Sequence, residues 1–156
     1  MKNLMGEHIA TADVVVDTLL SQRLSCAKVS HVDDTKQGFT LTKGTGLLEE
    51  KQKGFHGKPG LYVIYKGHPE HFGVPMYVGE SEVSVGTRLS RFVKEAMNKS
   101  RLDENHSAAK KWRTFFGSDL NDCYVRVFDE EIQSTVTHKE IESELKRRLN
   151  PLLNVR

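Results

Sequence analysis

Gly60-Leu61-Tyr62-Val63-Ile64-Tyr65, followed after a loop by Met76-Tyr77-Val78-Gly79, is the stretch whose reading decides the fold. Both runs are rich in β-branched and aromatic residues, as half-buried strands are. Between them, His68 to Pro75 carries Gly73, Pro69 and Pro75, which suit a bend and not a strand interior. The expectation is two strands paired as a hairpin, each presenting a tyrosine beside a glycine.

Working outward, residues 86 to 99 read as a helix with Leu89, Phe92, Val93 and Ala96 on one face. Ser107 to Phe116 reads as a second helix, with Ser107 as its cap and Gly117 as its stop. Cys123-Tyr124-Val125-Arg126-Val127-Phe128 alternates as a third strand. Thr137 opens the last helix, with Glu140 placed for a capping box and Pro151 after its end. Toward the N-terminus, an apolar stripe from Ile9 to Leu20 marks a helix over 9–24. Strands follow at Ala27–Val32 and Phe39–Thr42, about a turn from Asp33 to Gly38, and Leu47 to Lys53 suits a short helix. Gly54 to Pro59 reads as a boundary. The expected architecture is α/β (α+β): a three-stranded antiparallel sheet flanked by helices over 58–156, preceded by a helix-plus-hairpin elaboration over 1–57.

The 156 residues fit one domain of this kind, with 23 Lys and Arg against 21 Asp and Glu, a formal charge of +2. The balance is only mildly basic, but Arg88, Arg91, Lys94, Lys99, Arg101, Lys110, Lys111 and Arg113 crowd one stretch, either as a solvated helical face or as a phosphate-facing patch. The two cysteines, Cys26 and Cys123, form no CxxC pair, and the expectation is a reduced, cytoplasmic protein. No apolar run suits a membrane span and the first residues lack a signal-peptide core. His68 and His71 are three apart, but Pro69 spoils helical geometry, so zinc is not expected there.

Two tyrosines on paired strands, an arginine and a carboxylate are enough for metal-assisted phosphodiester hydrolysis. In order along the chain come Gly60-Leu61-Tyr62, Tyr77-Val78-Gly79, Arg88, Glu142 and Pro151-Leu152-Leu153-Asn154. This ordered set resembles the GIY-YIG nuclease family over about residues 58 to 156, most of all its compact, restriction-endonuclease-like members. Arg88 lies one residue further from the glycine than the common family spacing, and Phe92 stands where several members carry a histidine.

The resemblance implies a DNA endonuclease that leaves 5′-phosphate and 3′-hydroxyl ends. Gly60 and Gly79 are then the motif glycines. Tyr62 is the base or water-positioner, and Tyr77 holds the water or a scissile phosphate oxygen. Arg88 meets phosphate charge. Glu142 is the ligand for Mg²⁺, with Mn²⁺ able to substitute, and Asn154 fixes the site by hydrogen bonds. His106 is a secondary candidate. Arg91, Lys94, Lys110, Lys111 and Arg113 are candidate DNA contacts, and Trp112 is either a wedge at a base step or a core residue. One site cuts one strand, so double-strand cleavage calls for a homodimer or sequential nicking. A phage or mobile-element nicking enzyme and a non-catalytic nucleic-acid-binding module that keeps the fold are the alternatives. Residues 1 to 57 are expected to serve target choice or dimerisation, the Ile9–Leu20 stripe covering either the sheet or a second subunit.

Overall fold

The computed structural model describes residues 11–21, 27–31, 39–42, 59–98, 106–128 and 136–154. The expected turn at 33–38, the helix at 47–53, the boundary at 54–58, and Lys99 and Arg101 lie outside them. The elements are α1 (Ala12–Ser21), β1 (Ala27–His31), β2 (Phe39–Thr42), β3 (Gly60–Lys66), β4 (Val74–Ser81), α2 (Val85–Ala96), α3 (Ser107–Phe116), β5 (Cys123–Phe128) and α4 (His138–Leu149).

Among the described residues the sheet has five strands and not three, in the order β2-β1-β5-β3-β4, and every described pairing is antiparallel. The three expected strands are neighbours, β5-β3-β4. The N-terminal hairpin lengthens the same sheet because Ala27 and Lys28 pair with Val125 and Tyr124. That long-range register has no local signature in either segment.

Strand alternation divides the core into two faces. Tyr62, Ile64, Met76, Val125 and Val127 pack under α2 and α3, against Leu89, Phe92, Val93, Ala109 and Trp112. Leu61, Val63, Tyr65, Val78 and Phe128 pack under α1 and α4, against Val15, Val16, Ile141 and Leu145. The apolar stripe of α1 therefore covers this sheet. Trp112 is a core residue: it is fully buried, its indole N–H donates to the Asp119 carbonyl at 3.0 Å, and a base-step wedge is ruled out.

Local chemistry accounts for the helix starts. Ser84 caps α2 by accepting from the Thr87 N–H, and Ser81 Oγ accepts from the Ser84 N–H, so a serine turn sets where α2 begins. Thr137 and Glu140 form the expected capping box on α4. The cap of α3 is His106 and not Ser107: the ring Nδ1 accepts from the Ala109 N–H. Pro75 lies inside β4 and not in the loop. It is tolerated because β4 is an edge strand and the register shifts opposite Ile64 and Tyr65.

Helix α1 is also clamped electrostatically. The Arg148 guanidinium reaches Asp13 and Asp17 of α1 and Glu144 of α4. Hydrogen bonds from Arg147 and Arg148 hold the Glu144 carboxyl well down, at about 2. These groups are solvent-screened, so buried Val15 and Val16 contribute more, about 1.5–3 kcal/mol for each valine fully removed from water. A fragment starting near residue 55 is therefore expected to lose cooperative unfolding, because it uncovers Leu61, Val63 and Val78. A thermal melt followed by far-ultraviolet circular dichroism checks this.

Candidate active site

Tyr62 leaves β3 toward α2, directly across from Gly79 of β4. A Cβ at position 79 would fall 2.5 Å from the Tyr62 hydroxyl oxygen and 2.7 Å from its Cε1. Glycine is required there by the ring that crosses it, not by its backbone angles. The tyrosine of one motif and the glycine of the other thus form a single packing unit.

Tyr77, on the same face, stacks at a tilt with Tyr62, their ring centroids 6.0 Å apart. The two differ in access: Tyr62 is fully buried and Tyr77 is half-buried. Arg88, one turn into α2, faces both hydroxyls. Burial works against its charge, and the two tyrosines more than offset that.

Burial pushes the Tyr62 hydroxyl far above its ordinary range, Tyr77 pushes the same way, and Arg88 opposes them without prevailing. Tyr62 is thus a neutral phenol in this structure. Arg88 and Tyr77 act on it, yet its hydroxyl makes no hydrogen bond of normal geometry among the described residues, and neither does Arg88 Nε.

His106 joins this cluster from the start of α3. Its ring stands edge-on to Tyr77 at 5.3 Å and to Phe92 at 5.4 Å. Burial, then Arg88 and Arg91, lower its pKa to about 4, so the ring is neutral at pH 7.

Asn154 holds the edge of β4. Its side-chain Oδ1 accepts from the Val78 N–H at 2.8 Å and its Nδ2 donates to the Val78 carbonyl at 3.1 Å. The amide thereby pairs with the strand as a neighbouring backbone would, between Tyr77 and Gly79. The turn that carries it, Leu152–Asn154, is also tied to α3, where Lys111 Nζ donates to the Leu153 carbonyl at 3.4 Å.

Glu142 stands elsewhere. It belongs to α4, which covers the face opposite Tyr62, and Lys146 pairs with its Oε1 at 2.8 Å. Its acidic neighbour is Glu80 of β4, which the sequence reading missed. Burial raises the Glu80 pKa, and Glu142 and Glu82 raise it further. One buried oxygen of Glu80, Oε1, has no hydrogen-bond partner among the described residues. Two carboxylates with an orphaned oxygen suit a hard divalent cation, whose charge would relieve their repulsion. The pair fits Mg²⁺ on that ground. Among the described residues no group of three or more His, Cys, Asp and Glu could hold a metal ion.

Tyr62, Tyr77, Arg88 and His106 are therefore together on one face of β4, Glu142 and Glu80 lie toward the other, and Asn154 is bonded to the strand at Val78. Gly60 is buried at the start of β3, opposite Ser81. Of the expected DNA contacts, Arg91 and Lys94 are half-buried on α2, and Lys110 is exposed on α3. Arg113 is engaged inside the protein, bonded to the Glu95 carbonyl and 3.6 Å from its carboxylate. No helix among the described residues is long and apolar enough to cross a membrane.

Compared with known proteins, the chain matches no family model, no curated protein and no solved structure.

Asn154→Ala removes two hydrogen bonds and bares the Val78 groups, and is expected to cost about 1–3 kcal/mol in a urea unfolding titration. The lowered pKa of His106 carries a pH signature. Between about 4 and 6.5 the unfolded chain binds the proton and the folded chain does not, so this contribution is fully present at neutral pH and is lost as pH falls through that window. Wild type is expected to lose more stability than His106→Ser between pH 7 and pH 4.5. Parallel thermal melts of the two proteins check it.

Proposed function

We propose that the protein is a Mg²⁺-dependent DNA endonuclease of the GIY-YIG kind, restriction-like, with Mn²⁺ able to substitute. The observation that carries the reading is the joint placement of Tyr62, Tyr77 and Arg88 against Gly79, with Asn154 pinned to the same strand. A sheet that needed only aromatic filling would gain nothing from an arginine held between two phenols.

The reaction is hydrolysis. Water oxygen bonds to phosphorus, the bond to the 3′ oxygen breaks, one proton leaves the water and one ends on the 3′ oxygen. The substrate strand runs beside β4, past Tyr77 and Arg88 on one face and toward Glu80 and Glu142 on the other. Tyr77, the accessible tyrosine, orients the water or a phosphate oxygen. Tyr62 lies behind it and orients Tyr77 and Arg88, its neutral form fitting a positioning role better than that of a standing base. Arg88 meets the charge that grows on the phosphate. Mg²⁺, held by Glu142 with Glu80, would supply charge compensation and a lowered water pKa when bound. Arg91, Lys94 and Lys110 line the approach for the DNA backbone, and a homodimer would cut both strands. Helix α1 and strands β1 and β2 serve the fold of the sheet, as well as any role in target choice.

Glu142→Gln is expected to abolish cleavage of plasmid DNA in Mg²⁺ while leaving DNA binding within a few-fold, because binding rests on many phosphate contacts. Arg88→Ala is expected to lower the single-turnover rate about 100-fold or more, with a much smaller change in affinity. Full cleavage by purified Glu142→Gln protein would sink the metal-site assignment.

A further inference from the structure

We propose that His106 is a hydrogen-bond donor of this site, its Nε2–H meeting a phosphate oxygen held beside Tyr77 and Arg88. The inference rests on the hydrolytic reading and adds a residue to it. The first support is the tautomer. Nδ1 of His106 accepts the Ala109 N–H that opens α3, so its lone pair is engaged and the proton of a neutral ring lies on Nε2. The second is that Nε2 is buried and has no hydrogen-bond partner among the described residues. Buried donors are ordinarily paired, so an orphan beside a cluster of phenols and a guanidinium calls for an acceptor that arrives with a ligand. A phosphodiester brings such oxygens.

The third support is the surroundings. From α2 come Arg88, Arg91 and Phe92, and from β4 comes Tyr77. Phe92, one turn beyond Arg88, offers no polar group, and its ring braces the imidazole edge-on. Both arginines disfavour an imidazolium, and burial disfavours it more. A base must accept a proton at Nε2 and a general acid must part with one. The neutral, Nε2-protonated ring does neither: it shares its proton with an oxygen whose charge increases in the transition state and keeps it afterwards. A ring held neutral at a helix N-terminus suits that electrophilic task.

The test separates the donor from the cap. His106→Ser keeps an oxygen that can cap α3 and removes the N–H. In the full-length chain, it is expected to lower single-turnover cleavage of a duplex in Mg²⁺ about 100-fold. Affinity for the same duplex in Ca²⁺ should change by less than about threefold, since uniform binding is not what is lost. A wild-type rate in this variant overturns the proposal. Histidine ¹⁵N spectra of the wild-type protein give a readout independent of cleavage. His106 should show the Nε2–H form, and its Nε2 signal should move when inorganic phosphate or the duplex is added. An Nδ1–H form, or a signal indifferent to both ligands, overturns the proposal even if His106→Ser fails to fold. If the wild-type protein cuts no DNA while phosphate still shifts the signal, the hydrolytic reading fails and the donor stands.

Discussion

The constraint on which the rest of this site depends is the passage of the Tyr62 ring over Gly79. No other residue at position 79 leaves room for it, and the ring in turn fixes how β3 and β4 present their polar groups. Tyr77 leans on Tyr62, Arg88 faces both, and the imidazole of His106 closes against Tyr77. Because interiors are packed near crystal density, a ring displaced by one methyl group would move each of these neighbours. The Asn154 amide completes the arrangement from outside, giving an edge strand the hydrogen bonds that a sixth strand would have supplied.

Electrostatics gives the two sides of β4 different characters. On the α2 side a guanidinium stands among neutral groups, a phenol kept protonated and an imidazole kept uncharged, both through burial first. On the α4 side burial raises the proton affinity of Glu80, and the charge of Glu142 raises it further. The proposed hydrolysis would use this division, with phosphate oxygens toward Arg88 and the cation toward Glu80 and Glu142. That division favours a catalytic reading over a plain binding module, which would need the positive side alone.

Much of this was legible in the sequence where the signal is local. β-Branched and aromatic composition marked Leu61 to Tyr65 as a strand, alternation marked Cys123 to Phe128 as another, and the Thr137–Glu140 spacing marked the start of α4. Pairing between distant segments was not legible. Nothing in Ala27-Lys28 announces Val125 and Tyr124 as partners, so the hairpin was read as an appendage and not as two more strands of one sheet. Pro75 misled for a physical reason, since only position at a sheet edge makes it acceptable within a strand. Glu80 was missed because alternation says which face it takes but not which helix covers that face. His106 as a cap was passed over because histidine is an uncommon residue there, and Ser107 beside it is a common one.

The most direct measurement of the central claim uses the wild-type protein alone. Supercoiled plasmid is incubated with it in Mg²⁺ and, in parallel, in EDTA, and the ends of any product are identified by ligation and by 5′-phosphate labelling. Nicked or linear DNA is expected in Mg²⁺, none in EDTA, with ligatable 5′-phosphate and 3′-hydroxyl ends. Undamaged plasmid in Mg²⁺ and in Mn²⁺, or equal cutting in EDTA, would contradict it.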